Sequence, residues 1–83
     1  MVEKQLTKNT FIRVFKPQEY YWHQDNENRL VIPLIHNNWK IQIDNELPVD
    51  FNKPFFIPKL KWHKIIPGNR LLMIKLLKLN FFI

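Results

Sequence analysis

The chain has 83 residues, of which 46% are hydrophobic, with 13 Lys and Arg against 7 Asp and Glu and no cysteine. That length suits one small domain with a single core, and the missing cysteine excludes disulfides and thiolate zinc sites. A core of this size is marginal by itself, which leaves a metal held by His and carboxylate, or a second copy, as its available supports.

The first stretch, residues 1–10 (MVEKQLTKNT), is polar and lacks the apolar run of a secretory signal. It reads as an N-terminal polar arm, with 11–83 as the folded domain. Prolines at 17, 33, 48, 54, 58 and 67 leave little room for a normal helix before residue 68. Between them lie short runs rich in β-branched and aromatic residues, at 11–15, 30–35, 39–43, 54–57 and 62–66. Trp39, Ile41 and Ile43 alternate cleanly with Lys40, Gln42 and Asp44, as a half-buried strand requires. Asn37-Asn38 and Asp44-Asn45 mark turns, since Asn and Asp tolerate positive φ and the chain has only one glycine. Short strands at close spacing predict an all-β sandwich or barrel. The last segment is ambiguous. Residues 70–79 contain good helix formers, with Lys75 and Lys78 on one helical face, and a strand buried on both faces would look similar.

A net charge of +6 permits an anionic partner. Abundant Lys, Asn and Ile with no Ala also fit AT-rich coding sequence, of a host or a phage, and that explanation is the simpler one. Lys59, Lys61 and Lys64 surround Trp62, yet in a strand Trp62 and Lys64 face away from the other two, which disfavours a single-strand nucleic-acid platform. No run approaches the roughly 20 apolar residues of a membrane span, so a cytoplasmic protein is expected. Ser and Cys are absent and Gly68 stands alone, which removes catalytic triads and phosphate loops.

The chemistry concentrates in Tyr21-Trp-His-Gln-Asp-Asn-Glu-Asn-Arg29. In extended chain, His23 and Asp25 project to the same face. If His63 comes from a neighbouring strand, the set becomes two histidines and one carboxylate, which holds Fe(II) or another divalent ion with open positions. A hydrogen-bonded polar cluster without metal would use the same residues. Glu27 is a reserve ligand, or a loop carboxylate paired with Arg29. Arg29 suits an anionic ligand through its planar fork, or a structural ion pair.

These residues resemble the motifs of the cupin superfamily. The first cupin motif runs Gly, five residues, His-x-His, three or four residues, Glu, six residues, Gly. Here Pro17 stands at the leading glycine, His23-x-Asp25 follows, Arg29 or Leu30 stands at the glutamate and His36 or Asn37 at the closing glycine. In the second motif (Gly, five residues, Pro-x-Gly, two residues, His, three residues, Asn) the matching positions are Asn52, Pro58, Leu60, His63 and Pro67. Only His23, Pro58 and His63 keep the family's residue type. The resemblance spans 11–79 and extends to small bacterial and phage cupins with "WHxDxExR" and "IP…WH" in this order. It implies a small jelly-roll β-barrel, with residues 71–79 as a strand. Its cavity would hold a divalent metal (Fe, Mn, Zn or Ni) on His23, Asp25 and His63, with Glu27 in reserve, and a small anionic ligand near Arg29.

Such a protein would be a metal-dependent dioxygenase or isomerase. The alternatives are a non-catalytic oligomeric module, of cellular or viral origin, and a basic nucleic-acid-binding barrel. Trp22, Trp39, Trp62, Tyr20 and Tyr21 are too many for so small a surface and are expected in the core or at a homodimer or higher homo-oligomer interface.

Overall fold

The computed structural model describes residues 1–79. They form eight strands and no helix, so no helix is long and apolar enough to cross a membrane. The strands are β1 (Val2–Thr7), β2 (Thr10–Phe15), β3 (Asn28–Pro33), β4 (Lys40–Ile43), β5 (Val49–Asp50), β6 (Phe55–Ile57), β7 (His63–Ile66) and β8 (Leu72–Leu79). One antiparallel sheet runs β1-β2-β8-β3-β6 and a second runs β5-β4-β7.

The five expected runs correspond to β2, β3, β4, β6 and β7, each within a residue or two of its sequence bounds. β3 stops at Pro33, where the chain loses a ladder donor. Residues 2–7, expected as a polar arm, instead add to the sheet as edge strand β1 against β2, exposed along their whole length. Polarity there marks a sheet edge, which proteins keep polar to deter further pairing.

β8 resolves the ambiguous segment as a strand, in agreement with the expectation for 71–79; residues 80–83 lie outside the described residues. It is central, between β2 and β3, and both of its edges are saturated with backbone bonds. Leu72, Ile74 and Leu76 point into the core on one face, which accounts for the strand, while the helical spacing of Lys75 and Lys78 has no role. Lys75 falls on the opposite face, and Lys78 lays its ammonium over the Phe11 ring, 4.7 Å from its centre.

One hydrophobic core lies between the sheets. Phe11, Val31, Ile74 and Leu76 enter it from the large sheet, and Trp39, Ile41 and Ile43 from β4 and its approach. Trp39 is fully buried, and its indole N–H is satisfied by the Arg70 carbonyl at 2.7 Å. Phe15, Tyr20 and Trp39 stack in sequence, Phe15 meeting Tyr20 edge-on at 5.4 Å. The aromatic residues therefore divide. Trp39 and Tyr20 belong to the core, while Tyr21, Trp22 and Trp62 are exposed.

The turns use the expected chemistry. Asn45 adopts φ 66° after β4. Asn37 is buried, accepting from the Trp39 N–H at 2.8 Å and donating to the Phe51 carbonyl at 3.0 Å. Gly68 is required by space, because a Cβ there would lie 1.9 Å from Asn38 Oδ1.

Candidate metal centre

The site is assembled by two segments that zip together along the edge of β7. His23 and His63 exchange both backbone N–H···O bonds, each 3.0 Å long, as an isolated antiparallel bridge. Directly opposed residues project to the same face, which brings the two imidazoles to 4.3 Å between ring centres. Two residues further on, Leu60 donates its N–H to the Asp25 carbonyl at 2.9 Å and accepts from Gln24 Nε2 at 2.8 Å. Leu60 adopts φ 64°, a left-handed conformation that L-residues normally avoid. Lys59 adds a bond from its N–H to Asn28 Oδ1 at 2.8 Å, tying the 58–62 turn to β3.

Asp25 thus projects beside the histidines. One ligand atom from each of His23, Asp25 and His63 lies within 4.8 Å of the others. The closest approach is His63 Nε2 to Asp25 Oδ2 at 3.1 Å, and His23 Nε2 lies 3.9 Å from Asp25 Oδ1. Burial is graded. The side chain of His63 is 4% exposed and that of Asp25 10%, whereas His23 is 52% exposed at the mouth of the site.

The tautomers follow from the neighbours. His63 Nδ1 lies 2.8 Å from the Lys61 carbonyl and His23 Nδ1 lies 3.1 Å from the Tyr21 carbonyl. A carbonyl can only accept, so each Nδ1 carries the hydrogen and, in the neutral ring, each Nε2 presents a lone pair. The double protonation that would alter this is disfavoured at His63. Burial, reinforced by His23 and Arg29, holds its pKa below the ordinary value against the opposing pull of the Lys61 carbonyl and Asp25.

Asp25 Oδ2 is buried without a hydrogen-bond donor, although His63 Nε2 is 3.1 Å away. With Nδ1 carrying the hydrogen, two lone-pair atoms face each other across a gap that a cation would reconcile. Imidazoles that bind metal characteristically anchor the other ring nitrogen on a backbone carbonyl, as both do here. The donor set fits a divalent ion. Bonds of about 2.0–2.2 Å to nitrogen and oxygen span the 3.1 Å separation directly, and the exposed His23 can approach from the mouth.

The other two candidates behave differently. Arg29 lies on β3 with the inward parity of Val31, and its side chain is largely buried. Its Nη1 sits 3.3 Å from Asp25 Oδ1 and its Nε 2.6 Å from Glu27 Oε2. Glu27 is therefore paired with Arg29 and stands outside the group of three ligand atoms. Arg29 is occupied by two carboxylates and orients one of the ligands.

A cavity of about 140 Å³ adjoins the histidines between the sheets. Its walls include Phe15, Val31, Ile41, Phe51, Ile57 and Ile74, with Tyr20, Tyr21, His23 and His63 also bordering it; Asp25, Glu27 and Arg29 do not line it. The resemblance implied a cavity lined by the ligand residues, and the apolar walls were not anticipated. Its walls carry the same alternating apolar signal as solid core, and no residue type distinguishes them.

No family model matches the chain and no curated protein matches it. Solved structures do. A conserved protein of unknown function from Streptococcus pyogenes superposes with a TM-score of 0.68 at 19% identity, covering 96% of this chain and 73% of that one. The DMSP lyase DddQ from Ruegeria pomeroyi superposes with 0.67 at 14% identity over 93% of this chain, which spans only 42% of the lyase's length. A cupin domain from Bordetella pertussis gives 0.64 at 11% identity, covering 96% and 91% of the two chains. The chain has a cupin-like fold.

Proposed function

We propose that the protein is a small cupin-type barrel that binds one divalent metal ion on His23 Nε2, His63 Nε2 and the Asp25 carboxylate and admits a small ligand through the cavity beside them. The observation that carries this reading is the buried Asp25 Oδ2, which has no hydrogen-bond partner and lies 3.1 Å from His63 Nε2, while His63 Nδ1 is held by the Lys61 carbonyl. Two imidazoles and one carboxylate suit a borderline first-row ion such as Fe(II), Mn(II), Zn(II) or Ni(II) better than Mg²⁺ or Ca²⁺, which prefer oxygen alone. When bound, such an ion supplies Lewis acidity or, with a redox metal, oxygen activation.

The chain's own groups prepare the site. The Lys61 and Tyr21 carbonyls fix the two tautomers. Arg29 and the Leu60 turn hold Asp25 in place. Burial keeps His63 deprotonated and available. The apolar walls flank the two histidines on the cavity side. A dioxygenase or isomerase is the activity expected of this arrangement.

Purified protein should contain close to one equivalent of divalent metal by elemental analysis, and His63→Ala or Asp25→Ala should remove it. Protein that stays metal-free and gains no thermal stability when Zn²⁺ or Mn²⁺ is added would refute the proposal.

A second reading, a homo-oligomeric interaction module, is favoured by one feature. β1 is exposed on both faces and leaves one sheet edge unpaired, and Tyr21, Trp22 and Trp62 add exposed aromatic surface. Light scattering would support it by a dimer mass that persists in chelator, and a monomer mass would reject it.

A further inference from the structure

We infer that the ligand taken up beside the two histidines has a compact hydrocarbon body and a single polar end, and is not the multiply charged anion that an Arg beside a metal site suggests. This deepens the metal-centre reading and rests on it for the ligand's polar end; the hydrocarbon subsite stands on the cavity lining alone.

The lining offers almost nothing to a second polar group. Phe15, Val31, Ile41, Phe51, Ile57 and Ile74 present carbon only. The Tyr20 hydroxyl is already donated to the Lys16 carbonyl at 2.9 Å, and Tyr21 lies mostly in solvent at the rim. No Lys or Arg borders the cavity. The nearby guanidinium of Arg29 has Nη1 on Asp25 and Nε on Glu27. The polar end of the cavity is therefore the one bordered by His23 and His63, where the proposed metal would meet a ligand's single polar group.

A charge or hydroxyl pushed toward Val31 or Ile74 would lose its water and find no partner there. A methyl or methylene in the same place gains by leaving water, about fourfold in affinity for each one buried. Size is limited as well, since about 140 Å³ is far below the roughly 300–1,000 Å³ of pockets for drug-sized ligands. Short branched or linear chains and single small rings fit that description, whereas sugars, nucleotides and dicarboxylates do not.

The test uses the full-length protein, both chelated and loaded with Zn²⁺, with methyl-labelled isoleucines observed by NMR. Titration with n-alkanols from ethanol to hexanol should move the Ile41, Ile57 and Ile74 methyls. Affinity should rise about fourfold per added carbon until the cavity is filled, and then stop rising. Malonate and succinate should leave those methyls unmoved. Ile65 also lines the cavity, and Ile65→Phe, which fills space there, should weaken butanol binding at least tenfold while metal content stays unchanged. If that variant does not fold, Val31→Ile supplies a smaller filling step and a smaller loss.

A flat alkanol series in metal-loaded protein, or dicarboxylates shifting the same methyls, would overturn the inference and leave the metal reading intact. A rising series in protein that never takes up metal would confirm the hydrocarbon subsite and locate the failure in the metal reading.

Discussion

Asp25→Asn distinguishes a metal centre from a hydrogen-bonded polar cluster made of the same residues. In metal-free protein the Asp25 side chain meets two neighbours of opposite kind. Arg29 Nη1, 3.3 Å from Oδ1, is a donor, while His63 Nε2, 3.1 Å from Oδ2, is a lone pair because Nδ1 holds the hydrogen. Asn matches both, since its oxygen accepts from Arg29 and its NH₂ donates to His63. The new hydrogen bond should contribute about 0.5–1.5 kcal/mol. Against it stands the weakened ion pair to Arg29, about 1–2 kcal/mol because both groups are largely buried, and held to that because Arg29 keeps Glu27 at 2.6 Å. In chelator the two effects nearly cancel, and the variant should therefore melt close to the wild type.

With metal the two separate. At a free concentration one hundred times Kd, the wild type gains about 2.7 kcal/mol, which is roughly 10 °C or more for a domain of this size, and Asp25→Asn gains little. Thermal melts with EDTA and with Zn²⁺ read both outcomes. If His63 Nε2 instead carried a proton donated to Asp25, the NH₂ of Asn would face a donor on one side or the other. The variant would then lose about 1.5–3 kcal/mol in chelator, and that result would refute the tautomer argument and the metal site built on it.

Three further outcomes follow from the same geometry. Glu27→Gln should weaken Zn²⁺ binding about 10–100-fold with the stoichiometry still near one, because it leaves Arg29 paired with Asp25 alone and so sets the guanidinium against the metal for that carboxylate's charge; competition with a chromophoric chelator measures this. Burial lowers the His63 pKa below its unfolded value of about 6.5, so the unfolded chain takes up the proton first. Metal-free stability should accordingly be full above about pH 6.5 and fall on acidification by up to about 1.4 kcal/mol per pH unit, levelling once folded His63 is protonated, and urea midpoints in chelator should lose that slope in His63→Gln. Leu60→Gly should raise stability by about 0.5–1 kcal/mol, the relief of a left-handed Leu of about 1–2 kcal/mol less the greater chain entropy of glycine, as read from urea unfolding.

Much of this was legible in residue order, for reasons that differ from place to place. The strands were legible where one face is buried and the other wet, as in Trp39–Lys40–Ile41–Gln42–Ile43, because a period of two has no other reading there. β8 was not legible from its own residues, since a strand paired on both edges and a basic amphipathic helix share the same Leu and Lys spacing. The longer spacing of His23, Pro58 and His63 decided it.

β1 was misjudged because edge position and polarity look alike when nothing marks the partner strand. At the site, the parity of His23 and Asp25 was visible in the sequence, and so was the pairing of Glu27 with Arg29. The facing lone pairs were not, because they depend on two backbone carbonyls whose positions only folding sets.

The departures from the cupin pattern can be sorted by whether the geometry survived the loss of the residue. Leu60 stands where the family's Pro-x-Gly has its glycine, and it keeps the left-handed φ of 64° that a glycine adopts freely. The turn that presents His63 and clamps Asp25 thus carries some backbone strain. Arg29, at or next to the glutamate position, changes the chemistry instead. A guanidinium at that place cannot ligate a metal, and Glu27 neutralises its charge. With Arg29 and Glu27 cancelling, a doubly charged ion on two neutral imidazoles and Asp25 would carry one net positive charge. That balance suits a neutral head group or one bearing a single negative charge. A dianion would have to draw Arg29 away from both carboxylates and place its second charge among Phe15, Val31 and Ile74. On the proposed metal reading, the charge count at the ligands and the apolar walls beside them would select the same kind of molecule.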